Sequence, residues 1–357
     1  MMLTELVDHV IGIDPDRDWI TAAVVDANTT GVVTTARFGA DSVGYEEALC
    51  WAEAHTVAGE RLWAIEGASG FGRGLTAALA RAGEWVSEFD RPNAKSTKDG
   101  AKSDELDAIR AARETLGRER VNAPRDHEGP REAIRVHTVT RAAAVRARTA
   151  AINELKALVV TAPDELRSEL RGLTTPRLVK RCAGFRDSTR QPVALRSVRA
   201  SMRALARRIR FLGEEIRDHN SALKTLVGEV APQLVTEPGI GVVTAAMLYV
   251  AWSHPGRCRN EAAYARLGGV APLPATSGQT QDRHRLNRRG DRQLNKALYI
   301  VAVTRLRYDQ ETRDYRDRRR SEGKTDREIT RCLKRYIARR VWRLLEHQGP
   351  KSPLDET

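Results

Sequence analysis

The chain has 357 residues, 41% hydrophobic and 30% charged, with 60 Lys+Arg against 47 Asp+Glu and a formal net charge of +13. That length suits about two domains with a buried core; no run approaches the roughly 18 apolar residues of a membrane span, and the first residues lack the pattern of a secretory signal, so a cytoplasmic location is expected. The basic excess, without a basic amphipathic or lipidation signal, favours nucleic acid over membrane as the polyanionic partner.

Three short apolar runs open the chain, "HVIGID", "WITAAVVD" and "GVVTTARF", separated by the turn-forming "PDRD" and "ANTT". They predict three consecutive strands in a meander. A helix is expected from Tyr45 to Val57, a strand from Arg61 to Gly67, a Gly-rich helix start near Phe71 and a strand from Glu84 to Asp90. After the loop "RPNAKSTKDG" comes a helix carrying "KSDELDA". The order βββ-α-β-α-β-α is that of an RNase H-like domain.

From about Arg131 the composition shifts to Ala, Arg and Leu. Val198, Met202, Leu205, Ile209, Leu212, Ile216, His219, Leu223 and Leu226 step alternately by four and three, a heptad seam interrupted by His219. A coiled coil or long helical hairpin is expected, with Val145, Ile152, Leu155 and Val159 as a candidate antiparallel partner. From Ala231 the chain runs through "EPGIGVVTAAML", a Gly/Pro/Ser-rich loop and the helix "RQLNKALYIVAVTRL". It then enters a basic stretch with Arg313, Arg316, Arg318, Arg319 and Arg320 and a final helix near Ile329 to Leu345. The four cysteines form no CxxC pair, which argues against a zinc module or a disulfide framework and predicts buried or inert thiols.

Asp104 and Asp107 lie three apart, so on a helix they share a face. By themselves they fit an acidic first turn as well as a cation site. Asp14 ends the first strand and Glu66 a later one. Four carboxylates gathered at one pole repel one another unless cations neutralise them, which predicts a divalent-metal site. Oxygen donors alone favour Mg²⁺ or Mn²⁺ over zinc. Asp14, Asp16 and Asp18 echo the start of an EF-hand loop, but Trp19 and Val25 stand where that loop needs Gly and Glu, and calcium is rejected. In "PGIG", Gly239 and Gly241 either bind phosphate at a helix N-terminus or simply make a good helix start. Arg283, Arg285, Arg288, Arg289, Arg292 and Lys296 face only Asp282 and Asp291 in this stretch, a pattern suited to nucleic-acid backbone contacts and also found in solvated loops. Ser277-Gly278 alone reads as a turn.

Together these residues resemble the DEDD recombinases of the insertion sequence 110/116/902 group, which includes the pilin-gene invertases. The matching elements are Asp14 in "GID", Glu66 closing a strand, Lys102 to Ala108 with its two aspartates, Pro238 to Gly241, the Pro-rich Ser-Gly loop from Pro272 to Gly278, and Arg289-Gly290-Asp291. "DPDRD" and "SGQTQ" depart from the family's usual continuation. The resemblance implies an α/β plus α architecture: a RuvC-like DEDD domain at 1–125, a helical coiled-coil region at 126–230 and a mainly helical transposase domain at 231–357. It implies a site-specific DNA recombinase of a mobile element with Ser277 as nucleophile and Asp14, Glu66, Asp104 and Asp107 as metal ligands. Its expected partners are donor and target DNA and a structured guide RNA, and its expected assembly is a dimer or tetramer. The rival expectations are a metal-dependent junction-resolving nuclease, in which water attacks, and a non-catalytic nucleic-acid-binding protein.

Overall fold

The computed structural model describes residues 3–89, 103–118, 121–125, 127–186, 190–274, 284–285 and 290–346. The chain divides into two compact units, Met1–Gly129 and Pro130–Thr357.

The first unit is built on a mixed sheet. Its strands are β1 (His9–Pro15), β2 (Trp19–Asp26), β3 (Val32–Gly39), β4 (Arg61–Glu66) and β5 (Val86–Phe89), with α1 (Ser42–His55), α2 (Arg73–Arg81) and α3 (Asp104–Leu116) between and after them. The spatial order is β3-β2-β1-β4-β5. β1 runs antiparallel to β2 and parallel to β4, β2 antiparallel to β3, and β4 parallel to β5. The expected meander is therefore present, and the first strand is central.

Alternation along the strands sends successive side chains to opposite faces. Ile11, Ile13, Ile20, Val24 and Ile65 pack on one side with Ala48 and Ala52 of α1 and Leu75 and Leu79 of α2. Val10, Val25, Leu62 and Ala64 pack on the other with Ala112 and Leu116 of α3. α3 lies unusually close: a Cβ placed on Gly12 would stand 1.9 Å from the Ala108 carbonyl oxygen, so only glycine lets this helix settle on β1.

At the far end of β4, Arg61 is 1% exposed, and its guanidinium donates to Glu84 at 2.8 and 2.5 Å. Trp63 Nε1 donates to the same carboxylate at 2.8 Å. Arg61 holds Glu84 below the usual carboxylate range.

The second unit contains α4 (Pro130–Thr161), α5 (Asp164–Leu170), α6 (Thr175–Ala183), α7 (Val193–Val230), α8 (Pro232–Val235), α9 (Val242–Trp252), α10 (Glu261–Leu267), α11 (Arg292–Tyr308), α12 (Gln310–Ser321) and α13 (Asp326–Glu346). A short ribbon of β6 (Leu273–Pro274) and β7 (His284–Arg285) precedes α11.

α4 and α7 form an antiparallel hairpin: Ile134 shares a core with Leu223 and Val227, whereas Leu155 and Val159 share one with Met202, Ala206 and Ile209. Met202, Ile209, Leu212 and Leu223 of the expected seam are buried, and Ala206 and Val227 join them. An α-helix has 3.6 residues per turn, so a strict heptad drifts round it and neighbouring positions take over the buried stripe. The seam's break is filled from across the hairpin, where His137 Nδ1 and His219 Nδ1 stand 2.9 Å apart. α5 and α6, not foreseen in the sequence, close this end with Leu166, Leu170, Leu178 and Cys182.

At the other end, Leu223 and Val227 share a core with Leu234, Ala245, Leu248, Tyr264, Leu298 and Val341. Packing thus runs continuously across residues 230 and 231. Cys182 and Cys258 are buried, the former with its thiol pushed up to about 11 by burial, while Cys50 is exposed.

Candidate active site

The β1–β4 register pairs Gly12 with Ala64 and Ile13 with Ile65. Asp14 and Glu66 lie two residues beyond the first of these pairs. They therefore end neighbouring parallel strands on the face that α3 covers. α3 starts there too. Ser103 caps it, its hydroxyl accepting from Leu106 N at 3.3 Å, so Asp104 and Asp107 fall in the first turn. Because Ala108 rests on Gly12, that turn is carried toward the strand end bearing Asp14.

The electrostatics register this convergence. The Asp14 carboxyl is raised from 3.8 to about 6, first by burial and then by Asp107, Glu66, Asp104 and Asp16 in that order. Burial and like charge both favour its protonated form. Asp107 is ion-paired with Arg110 one turn on, which supplies one positive charge at this pole. Asp14, Glu66 and Asp107 are half-buried and Asp104 is exposed. Among the described residues, as placed, no three carboxylate, imidazole or thiolate groups stand within reach of a single metal ion. The four acids share a pole without a closed coordination shell. Their chemistry still fits a hard divalent cation: the donors are all oxygens, and their mutual repulsion is what such an ion relieves.

The second group of expected site residues lies in the other unit. Ser277, Arg283, Arg288 and Arg289 lie outside the described residues; Arg285 is in β7, and its side chain also lies outside them. β6 and β7 pair Pro274 with His284, bracketing the stretch that contains Ser277. The base of this hairpin is closed by backbone. A Cβ on Gly290 would stand 2.3 Å from Gly269 N, and Asp291 N donates to Leu267 O at 2.6 Å. Asp291 then caps α11, its carboxylate accepting from Gln293 N and Leu294 N. Gly290 and Asp291 of the Arg-Gly-Asp element thus close a neck and start a helix.

Gly239 has φ +77° and lies against α11, with Arg305 Nε donating to the Pro238 carbonyl at 2.7 Å. Glycine is required there by conformation and packing. Gly241 precedes α9 with open space at its Cβ position. Arg292 and Lys296 are exposed on α11 and line a cavity of about 770 Å³. Its other wall, from α13, carries Arg327, Arg331 and Lys334, which the sequence reading missed. The signal was present as basic residues four and three apart at the start of the last helix, but it was submerged in the general basicity of the C-terminal region.

A family described as "Transposase IS116/IS110/IS902 family" matches residues 231–317, and a DEDD-type family described as "Transposase" matches residues 11–162. The chain is similar to the "Insertion element IS900 uncharacterized 42 kDa protein" of Mycobacterium paratuberculosis, at 30% identity over 43% of this chain and 39% of that protein. It is also similar to the "Insertion element IS110 uncharacterized 43.6 kDa protein" of Streptomyces coelicolor, at 34% identity over 31% of this chain and 27% of that protein. The matched stretches span less than half the length of these curated relatives. With the acid-bearing sheet matched by the first part of the family and the serine hairpin by the second, the chain belongs to the IS110/IS116/IS902 family of DEDD transposases.

Proposed function

We propose that this protein is a site-specific DNA recombinase of a mobile element, which cuts and rejoins DNA through Ser277 with a divalent metal held by Asp14, Glu66, Asp104 and Asp107. The observation that carries the reading is the convergence of the four acids on one strand-end pole, with Asp14 raised to about 6 by burial and by its acidic neighbours. A bound Mg²⁺ or Mn²⁺ would stabilise negative charge on the phosphate being transferred.

The chain's own residues do the rest. The Ser277 hydroxyl attacks phosphorus as the bond to the leaving strand oxygen breaks; the serine proton is lost and the leaving oxygen is protonated. The cut strand is retained as a phosphoserine ester, whose energy serves rejoining without ATP. The cationic stretch from Arg283 to Lys296, with Gly241 at the open start of α9, neutralises and positions the DNA backbone. The working assembly is a dimer or tetramer in the cytoplasm, the α4–α7 hairpin supplies its coiled-coil region, and a structured guide RNA selects the sites.

The test is a DNA substrate carrying a recombination site, incubated with the protein and Mg²⁺ or Mn²⁺ and resolved under denaturing conditions. A protein–DNA adduct should form, be absent in Ser277→Ala and be lost with EDTA, while Ser277→Ala keeps DNA binding within about two-fold. Metal-dependent cutting that persists in Ser277→Ala with no adduct in the parent would show a nuclease that uses water. No metal-dependent cutting by either protein, with binding intact, would leave a binding protein.

A further inference from the structure

α11 and α13 each carry three residues spaced by four and three along one face, and the two stripes face one cavity: Arg292, Lys296 and Tyr299 from α11, and Arg327, Arg331 and Lys334 from α13. The cavity, at about 770 Å³, is far larger than a phosphate ion needs.

These cations differ from the others around them. On α13, Arg339 and Arg343 pair with Glu261 and Arg340 with Glu237; on α12, Arg316 pairs with Asp317 and Arg319 with Glu322. Among the described residues no carboxylate pairs with Arg292, Lys296, Arg327, Arg331 or Lys334. The acid that shares their cavity, Asp326, is bound to Arg320 at 2.7 Å. Lys334 is half-buried and aimed by Asn295, whose Oδ1 accepts from Nζ at 2.7 Å and whose Nδ2 donates to the Gly268 carbonyl at 2.7 Å. Burial, and then Arg331, lower its pKa, as befits an ammonium in no ion pair with a carboxylate among the described residues. Beside these cations Tyr299 is 52% exposed, which leaves an aromatic surface available for stacking.

Cations in no carboxylate ion pair among the described residues, beside an open aromatic face, are the recognition chemistry of an unpaired nucleic-acid strand, whose backbone is neutralised while a base stacks. A duplex keeps its base faces covered. The neck glycines Gly269 and Gly290 line the same cavity, so a strand in the groove lies at the root of the hairpin that carries Ser277. We propose that the α11–α13 groove binds an unpaired stretch of the DNA strand, contacting phosphates through Arg292, Lys296, Arg327, Arg331 and Lys334 and stacking a base on Tyr299. DNA as the occupant rests on the function proposed above.

The full-length protein would be titrated in EDTA with labelled single-stranded DNA, duplex DNA and RNA of one sequence at several salt concentrations. Arg327→Ala with Arg331→Ala should weaken single-stranded DNA binding ten-fold or more and lower its log–log salt slope by about 1.4, since each lost phosphate contact on a single strand removes close to 0.7. Tyr299→Ala should weaken the single strand at least five-fold and the duplex less than two-fold, with Tyr299→Phe restoring binding. Arg313→Ala with Arg316→Ala removes the same charge from α12 and should cost less than three-fold. Both altered α13 side chains are exposed, so the melting temperature should hold; Arg327→Gln with Arg331→Gln serves as a second version. The proposal is overturned if the α12 control costs as much as the α13 pair, if Tyr299→Ala weakens duplex and single strand alike, or if RNA binding is lost while DNA binding is unchanged. Ser277→Ala protein should bind the strand as the parent does, so failure of the groove and failure of the cleavage reaction are separate results.

Discussion

Asp14 keeps its proton to about pH 6, against 3.8 for an ordinary aspartate. A carboxyl whose folded value is raised adds stability that is complete below its unfolded pKa and lost as pH rises through the folded one. In EDTA the melting temperature should therefore fall between about pH 4 and pH 7. Asp14→Asn should flatten that fall and stabilise the metal-free protein at pH 7.5 by about 1 to 2 kcal/mol, the linkage value being trimmed by solvent screening, while abolishing adduct formation. A steeper fall in Asp14→Asn would assign the proton elsewhere. The buried Arg61–Glu84 pair works in the opposite direction. Glu84→Gln leaves a guanidinium at 1% exposure without its counter-charge and should cost roughly 3 kcal/mol in urea denaturation. A loss below about 1 kcal/mol would mean that water reaches Arg61.

For single elements, alternation and turn chemistry were enough to read the strands, and the expected runs at 9–14, 19–26 and 31–38 meet observed strands at His9–Pro15, Trp19–Asp26 and Val32–Gly39. Contacts between elements were not legible. Nothing in the spacing shows that Gly12 admits the Ala108 carbonyl, although that contact sets the height of Asp104 and Asp107 over the sheet. The heptad seam foretold a long helix but not its drift toward Ala206 and Val227, because the buried stripe is decided by the partner surface. Nor could it show that His219 meets His137. One of these imidazoles must donate and the other accept at 2.9 Å, so both are tied to a single hydrogen bond. Replacing both with Leu should stabilise the hairpin by about 1 kcal/mol, as a continuous apolar seam replaces a polar pair. His219→Leu alone strands a half-buried ring nitrogen and should be worse than the double variant. A thermal melt of the three proteins, with the single variant the most stable, would reject this.

Across the whole molecule, the basic excess was readable as attraction to a polyanion, but charge counts treat every arginine alike. The structure separates them: Arg316, Arg319, Arg339 and Arg340 are occupied by carboxylates, whereas Arg327 and Arg331 form no ion pair among the described residues. That distinction depends on which acids fold back onto them and is invisible in sequence order. The division of the helical part shows the same limit. The resemblance implied a boundary at 230/231, and Val227 and Leu234, on either side of it, share one core.

The backbone contact between Gly290 and Gly269 leaves no space for a methyl group, so Gly290→Ala should destabilise the second unit by about 1 to 3 kcal/mol. An unchanged melting temperature would show that the neck can widen. A root packed backbone to backbone beneath the β6–β7 ribbon fixes where that ribbon leaves the helical core. Because Pro274 is paired with His284 and Gly290 is locked against Gly269, both ends of the stretch that includes Ser277 are anchored to the helical unit, and substitutions elsewhere on that unit's surface leave this anchorage unchanged.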